Sequence, residues 1–88
     1  MSIPDARRST YGVSWKERRT GPRHAAVWAR VGGRWRKGRI IEWIRELDRD
    51  GWECVIMANE PHDGPPWQGR YVFDRASIRP RHSDRPPA

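Results

Sequence analysis

Between His24 and Pro80 the chain is cut at short intervals by turn signals: Gly32-Gly33, then Asp48-Arg49-Asp50-Gly51, then the proline-rich run from Asn59 to Gly69. That punctuation is the pattern of short strands joined by hairpins. The runs between the turns agree with it. Ala25, Val27, Ala29 and Val31 share one face of an alternating segment, while Trp52, Cys54 and Ile56 oppose Glu53, Val55 and Met57 in another. Arg34 opens a second strand, in which Gly38 predicts a bend or bulge. Tyr71 and Phe73 flank Val72 in a further strand, and Asp74 to Pro80 reads as a short helical turn leading into a terminal strand at Ile78. One stretch fits two schemes. Ile40, Ile41, Trp43, Ile44 and Leu47 also lie at helical spacing, with Gly51 placed as a C-terminal cap. β-Branched and aromatic residues dominate its start and a hairpin turn follows, so a strand is the expectation. The expected fold class is all-β, a small barrel of four to five antiparallel strands with flexible termini. An α+β fold with a helix near 40–49 is the alternative.

Charge divides the chain differently. Lys and Arg total 18 against 11 Asp and Glu, a formal charge of +7, and nearly all the cations are arginine. Guanidinium groups favour planar, two-pronged contacts to phosphate or carboxylate and stacking on rings. The six tryptophans argue that part of the chain folds, because a disordered polycation has no use for so many large rings. Residues 1–23 carry Arg7, Arg8, Lys16, Arg18, Arg19 and Arg23 against only Asp5 and Glu17, and read as a flexible basic arm. Tyr11, Val13 and Trp15 alternate within it and allow a short docked strand. Residues 81–88 read as a disordered tail. The domain is therefore residues 24–80.

The most polarised stretch lies in that domain. Arg30, Arg34, Arg36, Lys37 and Arg39 surround Trp35 with no acid among them. Such a group suits nucleic acid, with guanidinium groups on phosphates and an indole stacked on a base. Trp28 shares a strand face with Arg30, and Arg18 and Arg19 of the arm would add phosphate contacts. A solvated hairpin whose Trp35 caps the core is the plainer reading. The next segment inverts the sign: Glu42, Glu46, Asp48, Asp50, Glu53, Glu60 and Asp63 face only Arg45 and Arg49. A nucleic-acid binder must turn these acids away from its ligand, and opposite poles also suit self-association or a charged protein partner. In the long loop, Trp67 follows two prolines and is either a contact residue or a plug for one barrel end, with Tyr71 beside it.

The pattern Val27-x-Ala29-x-Val31, Gly33-Arg34-Trp35-x-x-Gly38-Arg39-Ile40, Asp50-Gly51-Trp52 and Asp74-x-x-x-Ile78-Arg79-Pro80 resembles SH3-like barrels of the Tudor type. It is similar also to short actinobacterial proteins that share this layout. The resemblance covers residues 24–80 and implies a binding module, often for methylated Lys or Arg in an aromatic cage and sometimes for nucleic acid. By position Trp35, Trp67 and Tyr71 match cage rings. The family's Asp-Tyr-Gly after the third strand is replaced here by Ala58-Asn59-Glu60-Pro61, which shifts the expectation toward nucleic acid or protein.

Catalysis is not expected. His62-Asp63 are chain neighbours rather than a base with an orienting partner, Cys54 reads as an inert core thiol, and His24, His62, His82 and Cys54 lack zinc spacing. No phosphate-binding glycine pattern occurs, and no cofactor is implied. With one cysteine, no apolar leader and no apolar run of membrane length, the expectation is a cytoplasmic protein without membrane contact. Low-specificity nucleic-acid binding, DNA foremost, is the leading functional expectation. A protein-interaction adaptor using the aromatic loop and the acidic hairpin is the rival.

Overall fold

Alternating segments bury one face each, and here the buried faces of five strands meet on one core. The computed structural model describes residues 2–9, 17–19, 25–46, 51–61, 64 and 66–88. The strands are β1 (Glu17–Arg19), β2 (Ala25–Val31), β3 (Arg34–Glu46), β4 (Glu53–Ala58), β5 (Gly69–Val72) and β6 (Ile78–Pro80). They form one antiparallel sheet in the order β5-β4-β3-β2-β6, with β1 pairing the far half of β3. Inward side chains from β2 to β6 build the core: Val27, Ala29, Ile40, Cys54, Ile56, Tyr71 and Ile78, joined by Trp67 from the loop before β5. The fold is all-β, as the alternation predicts. The ambiguous stretch is strand to Glu46, and no helix occurs among the described residues, so none there could cross a membrane. The anticipated strand through Tyr11, Val13 and Trp15 lies outside them.

Two details of β3 differ from expectation, and both set which side chains face out. The register shift falls between Ile40 and Glu42, so the bulged residue is Ile41, not Gly38. Gly38 answers a packing need instead. A Cβ there would lie 2.6 Å from Ile56 Cγ2 and 2.9 Å from the Trp67 ring. The absent side chain lets the indole seat against β3.

The sheet does not close on itself, since β5 and β6 are its unjoined edges. Residues 5–9 lie across that seam. The Ala6 amide donates to the Arg30 carbonyl of β2, and Ser9 donates to Arg70 while Val72 donates to Arg7 along β5. Asp5 accepts from the Gly33 amide at the β2–β3 turn. This part of the expected flexible arm is therefore bonded to the domain at both sides of the opening, and β1 is bonded to β3. At the other terminus the Arg81 amide donates to Ala26, and Asp84 reaches Lys37. The expected helical turn is present as a turn over 75–77, with the Asp74 carboxylate accepting from Ala76 and its carbonyl from Ser77 and Ile78.

Candidate nucleic-acid interface

Strand alternation decides which of the clustered cations share a surface. In β2, Val27 and Ala29 point to the core, so Trp28 and Arg30 point away from it. Across β3, Trp28 pairs with Lys37 and Arg30 with Trp35, which puts Trp35, Lys37 and Arg39 on that outer face too. Across β6, Trp28 pairs with Arg79. The outer face of β6-β2-β3 thus gathers Arg30, Lys37, Arg39 and Arg79 around Trp28 and Trp35. Arg34 is exposed at the hairpin end.

The rings on this face are covered rather than free. The Arg30 and Arg79 guanidinium carbons lie 5.5 and 5.2 Å from the Trp35 ring centroid, and Trp35 is half-buried. These are cation–π distances, so the indole orients two arginines. Trp28 lies on the outer face yet is only 5% exposed. Lys37 Nζ sits 5.9 Å from its centroid and is bound at 3.0 Å by Asp84 of the C-terminal segment. A second contact ties that segment down, from Arg81 Nη2 to the Gly38 carbonyl at 3.4 Å. Of the two rings expected to stack on bases, Trp28 is buried, and Trp35, half-buried, already has two guanidinium groups against it.

Other expected site residues sit elsewhere. Arg36 alternates to the opposite face from Lys37; its Nε donates to the Val31 carbonyl and its Nη1 lies 4.0 Å from Glu60. Arg18 and Arg19 pair in register with Arg45 and Ile44, on the far half of β3 from Lys37 and Arg39, and their side chains are not among those described. Trp67 is 4% exposed and Tyr71 1% exposed, so neither is a surface contact. The indole Nε1 of Trp67 has no hydrogen-bond partner, whereas its carbonyl accepts from the Tyr71 hydroxyl. Trp67 belongs to the core and seats over Gly38 of β3. Burial pushes the Tyr71 phenol above its usual value, against the opposing pull of Arg8 and Arg36. Arg79 was not in the expected set. Its signal was its alternation with Ile78 and Pro80, which becomes decisive only once β6 is known to pair with β2.

Charge balance sharpens the surface. Glu53 is engaged by Arg70 and by the Ser9 hydroxyl, the latter at 2.8 Å, and Glu60 lies by Arg36. Glu53 and Glu60 are thus each held by a basic group, while Glu42, opposite Val55, faces outward on β3 beyond the bulge. Among the described residues Arg30, Arg34, Arg39 and Arg79 have no carboxylate partner, and Lys37 has one, from the exposed Asp84. Elsewhere Met57 is half-exposed beside a shallow apolar depression of about 260 Å³ lined by Ile41, Val55 and Gln68. It is the one exposed large apolar side chain among the described residues.

No protein-family model, curated protein or solved structure matches this chain.

Cys54 is fully buried, and burial, with Glu53 adding to it, pushes its thiol up to about 12. Such a thiol stays protonated and unreactive at neutral pH. Among the described residues no three His, Cys, Asp or Glu side chains are grouped to hold a metal ion.

Proposed function

We propose that this chain is a non-enzymatic module that binds nucleic acid with little sequence preference. The observation that carries the reading is the outer face of β6-β2-β3, where Arg30, Arg39 and Arg79 point away from the core with no acid paired to them among the described residues. Unpaired guanidinium groups on a rigid sheet need no rearrangement to meet phosphates. Neutralising phosphates releases condensed counterions, so affinity should come mainly from charge and fall steeply with salt. Phosphate contacts of this kind fix a ligand's position without reading its sequence. A small SH3-like barrel of the Tudor type is consistent with this use as a binding module.

The experiment is a titration of fluorescently labelled, mixed-sequence nucleic acid at two salt concentrations, with wild type and with Arg39→Glu/Arg79→Glu. Both side chains lie outside the core, so the variant should melt as wild type does. Binding at low salt that weakens with added salt and is lost in the folded variant supports the reading. Absence of binding at low salt, or full binding by the variant, refutes it. The rival adaptor reading used Trp67 and Tyr71 together with the acidic hairpin; both rings are buried, which leaves it the hairpin alone.

A further inference from the structure

We infer that the basic face takes the paired phosphate backbones of a nucleic-acid duplex and makes no use of the bases, an inference that rests on the nucleic-acid reading above and names its substrate class. Two observations carry it. The first is the state of the rings. Proteins that hold single strands supply aromatic platforms on which successive bases stack, and stacking offsets the ordering of a flexible strand. On this face Trp35 already stacks with Arg30 and Arg79, and Trp28 is buried beneath Lys37. A base stacking on Trp35 would compete with two guanidinium groups for the ring, trading phosphate contacts for a stacking one.

The second observation is the layout of the cations. Lys37 and Arg39 are two residues apart on β3, about 7 Å at the usual strand rise. Arg79 lies two strands away from Lys37, across Trp28, at about 10 Å from the usual strand spacing. Arg30 extends the set toward the hairpin end. The cations thus form a two-dimensional array fixed by sheet register, not a line along one groove. A duplex presents phosphates on two backbones with twice the axial charge density of a single strand, roughly one charge per 1.7 Å against one per 3.4 Å. It is also stiff, so one docking geometry meets several phosphates at once. A lone strand has no second backbone for the array, and no ring here compensates for ordering it.

The test compares affinities of the full chain, at one low salt concentration, for a 20-base-pair DNA duplex, an RNA duplex of equal length and each separated strand. A fifth ligand is a single strand of the same length carrying abasic sites. The expected result is at least tenfold tighter binding to one or both duplexes than to their strands, and equal binding of abasic and ordinary single strands. Which duplex binds better identifies the source of the phosphates. Equal or tighter binding of ordinary strands than of duplexes overturns the inference, as does loss of single-strand binding when bases are removed. Failure to bind any of the five ligands refutes the parent reading instead, which keeps the two failures apart. Trp35→Leu checks the role given to the ring: it should weaken duplex binding by loosening Arg30 and Arg79, and leave the ratio of abasic to ordinary strand unchanged. A change in that ratio would show the indole stacking on bases and overturn the inference.

Discussion

Gly38→Ala separates two accounts of one residue. If Gly38 served only a backbone bend, Ala would be tolerated or mildly favourable, because Gly within a strand costs roughly 0.5–1 kcal/mol relative to Ala. The structure gives a different reason. The added methyl would sit 2.6 Å from Ile56 Cγ2 and 2.9 Å from the Trp67 ring, both well inside van der Waals contact. Ile56 and Trp67 are 1% and 4% exposed, so neither can swing into solvent without opening the core. Overpacking of this kind costs about 1–3 kcal/mol, which outweighs the propensity gain and leaves a net loss of about 1–2 kcal/mol. For a domain of this size that loss lowers Tm by roughly 5–15 °C. The assay is thermal unfolding followed by tryptophan fluorescence. Trp67→Phe, which shortens the ring facing Gly38, should reduce the cost of the alanine when the two are combined. A Gly38→Ala protein as stable as wild type, or more so, would refute the seating of Trp67 against β3.

Three further outcomes follow from contacts elsewhere. Removing residues 1–9 should destabilise the fold by about 2–4 kcal/mol, since the backbone bonds of Ala6, Arg7 and Ser9 are lost at about 0.5–1.5 kcal/mol each; unchanged urea unfolding would show that the seam segment contributes nothing. Asp84→Asn frees Lys37 from its carboxylate and should tighten nucleic-acid binding about twofold, the scale expected of an exposed ion pair; weaker binding in a direct titration would contradict this. Burial pushes the Cys54 thiol from an ordinary 9.0 up to about 12, so its contribution to stability is whole below pH 9 and is lost as pH climbs toward 12; the Tyr71 phenol, raised from 10.0, acts in the same direction. The alkaline fall from Cys54 should approach about 1.4 kcal/mol per pH unit, and Cys54→Ala should flatten it; parallel slopes in both proteins would remove the cause.

The legible parts of this fold were local. The Gly32-Gly33 turn and the alternation on either side identify the β2–β3 hairpin and its inward face, and the same alternation in Trp52 to Ala58 gives β4. Resolving Ile40–Glu46 as strand needed only its β-branched and aromatic content. What was not legible depends on partners distant in sequence. No feature of Arg79 says that it will lie opposite Trp28, because that depends on β6 returning to β2. The loop prolines before Trp67 suit an exposed contact or a core ring equally well, and the space over Gly38 decides between them. Charge clustering likewise joined Arg36 to its neighbours, although strand alternation turns it to the other side, toward Glu60. Composition marked residues 1–9 as basic and poor in apolar groups, yet they bond through the backbone, which composition does not report.

The central claim is that phosphate contacts by the outer face of β6-β2-β3 supply the binding. The slope of log K against log salt for a DNA duplex tests it most directly, because each neutralised phosphate contributes about −0.9. Four cations, Arg30, Lys37, Arg39 and Arg79, predict a slope of about −3 to −4, and Arg39→Ala/Arg79→Ala should make it shallower by about 2. A slope that stays the same in that folded variant, or a wild-type slope near zero, would contradict the account.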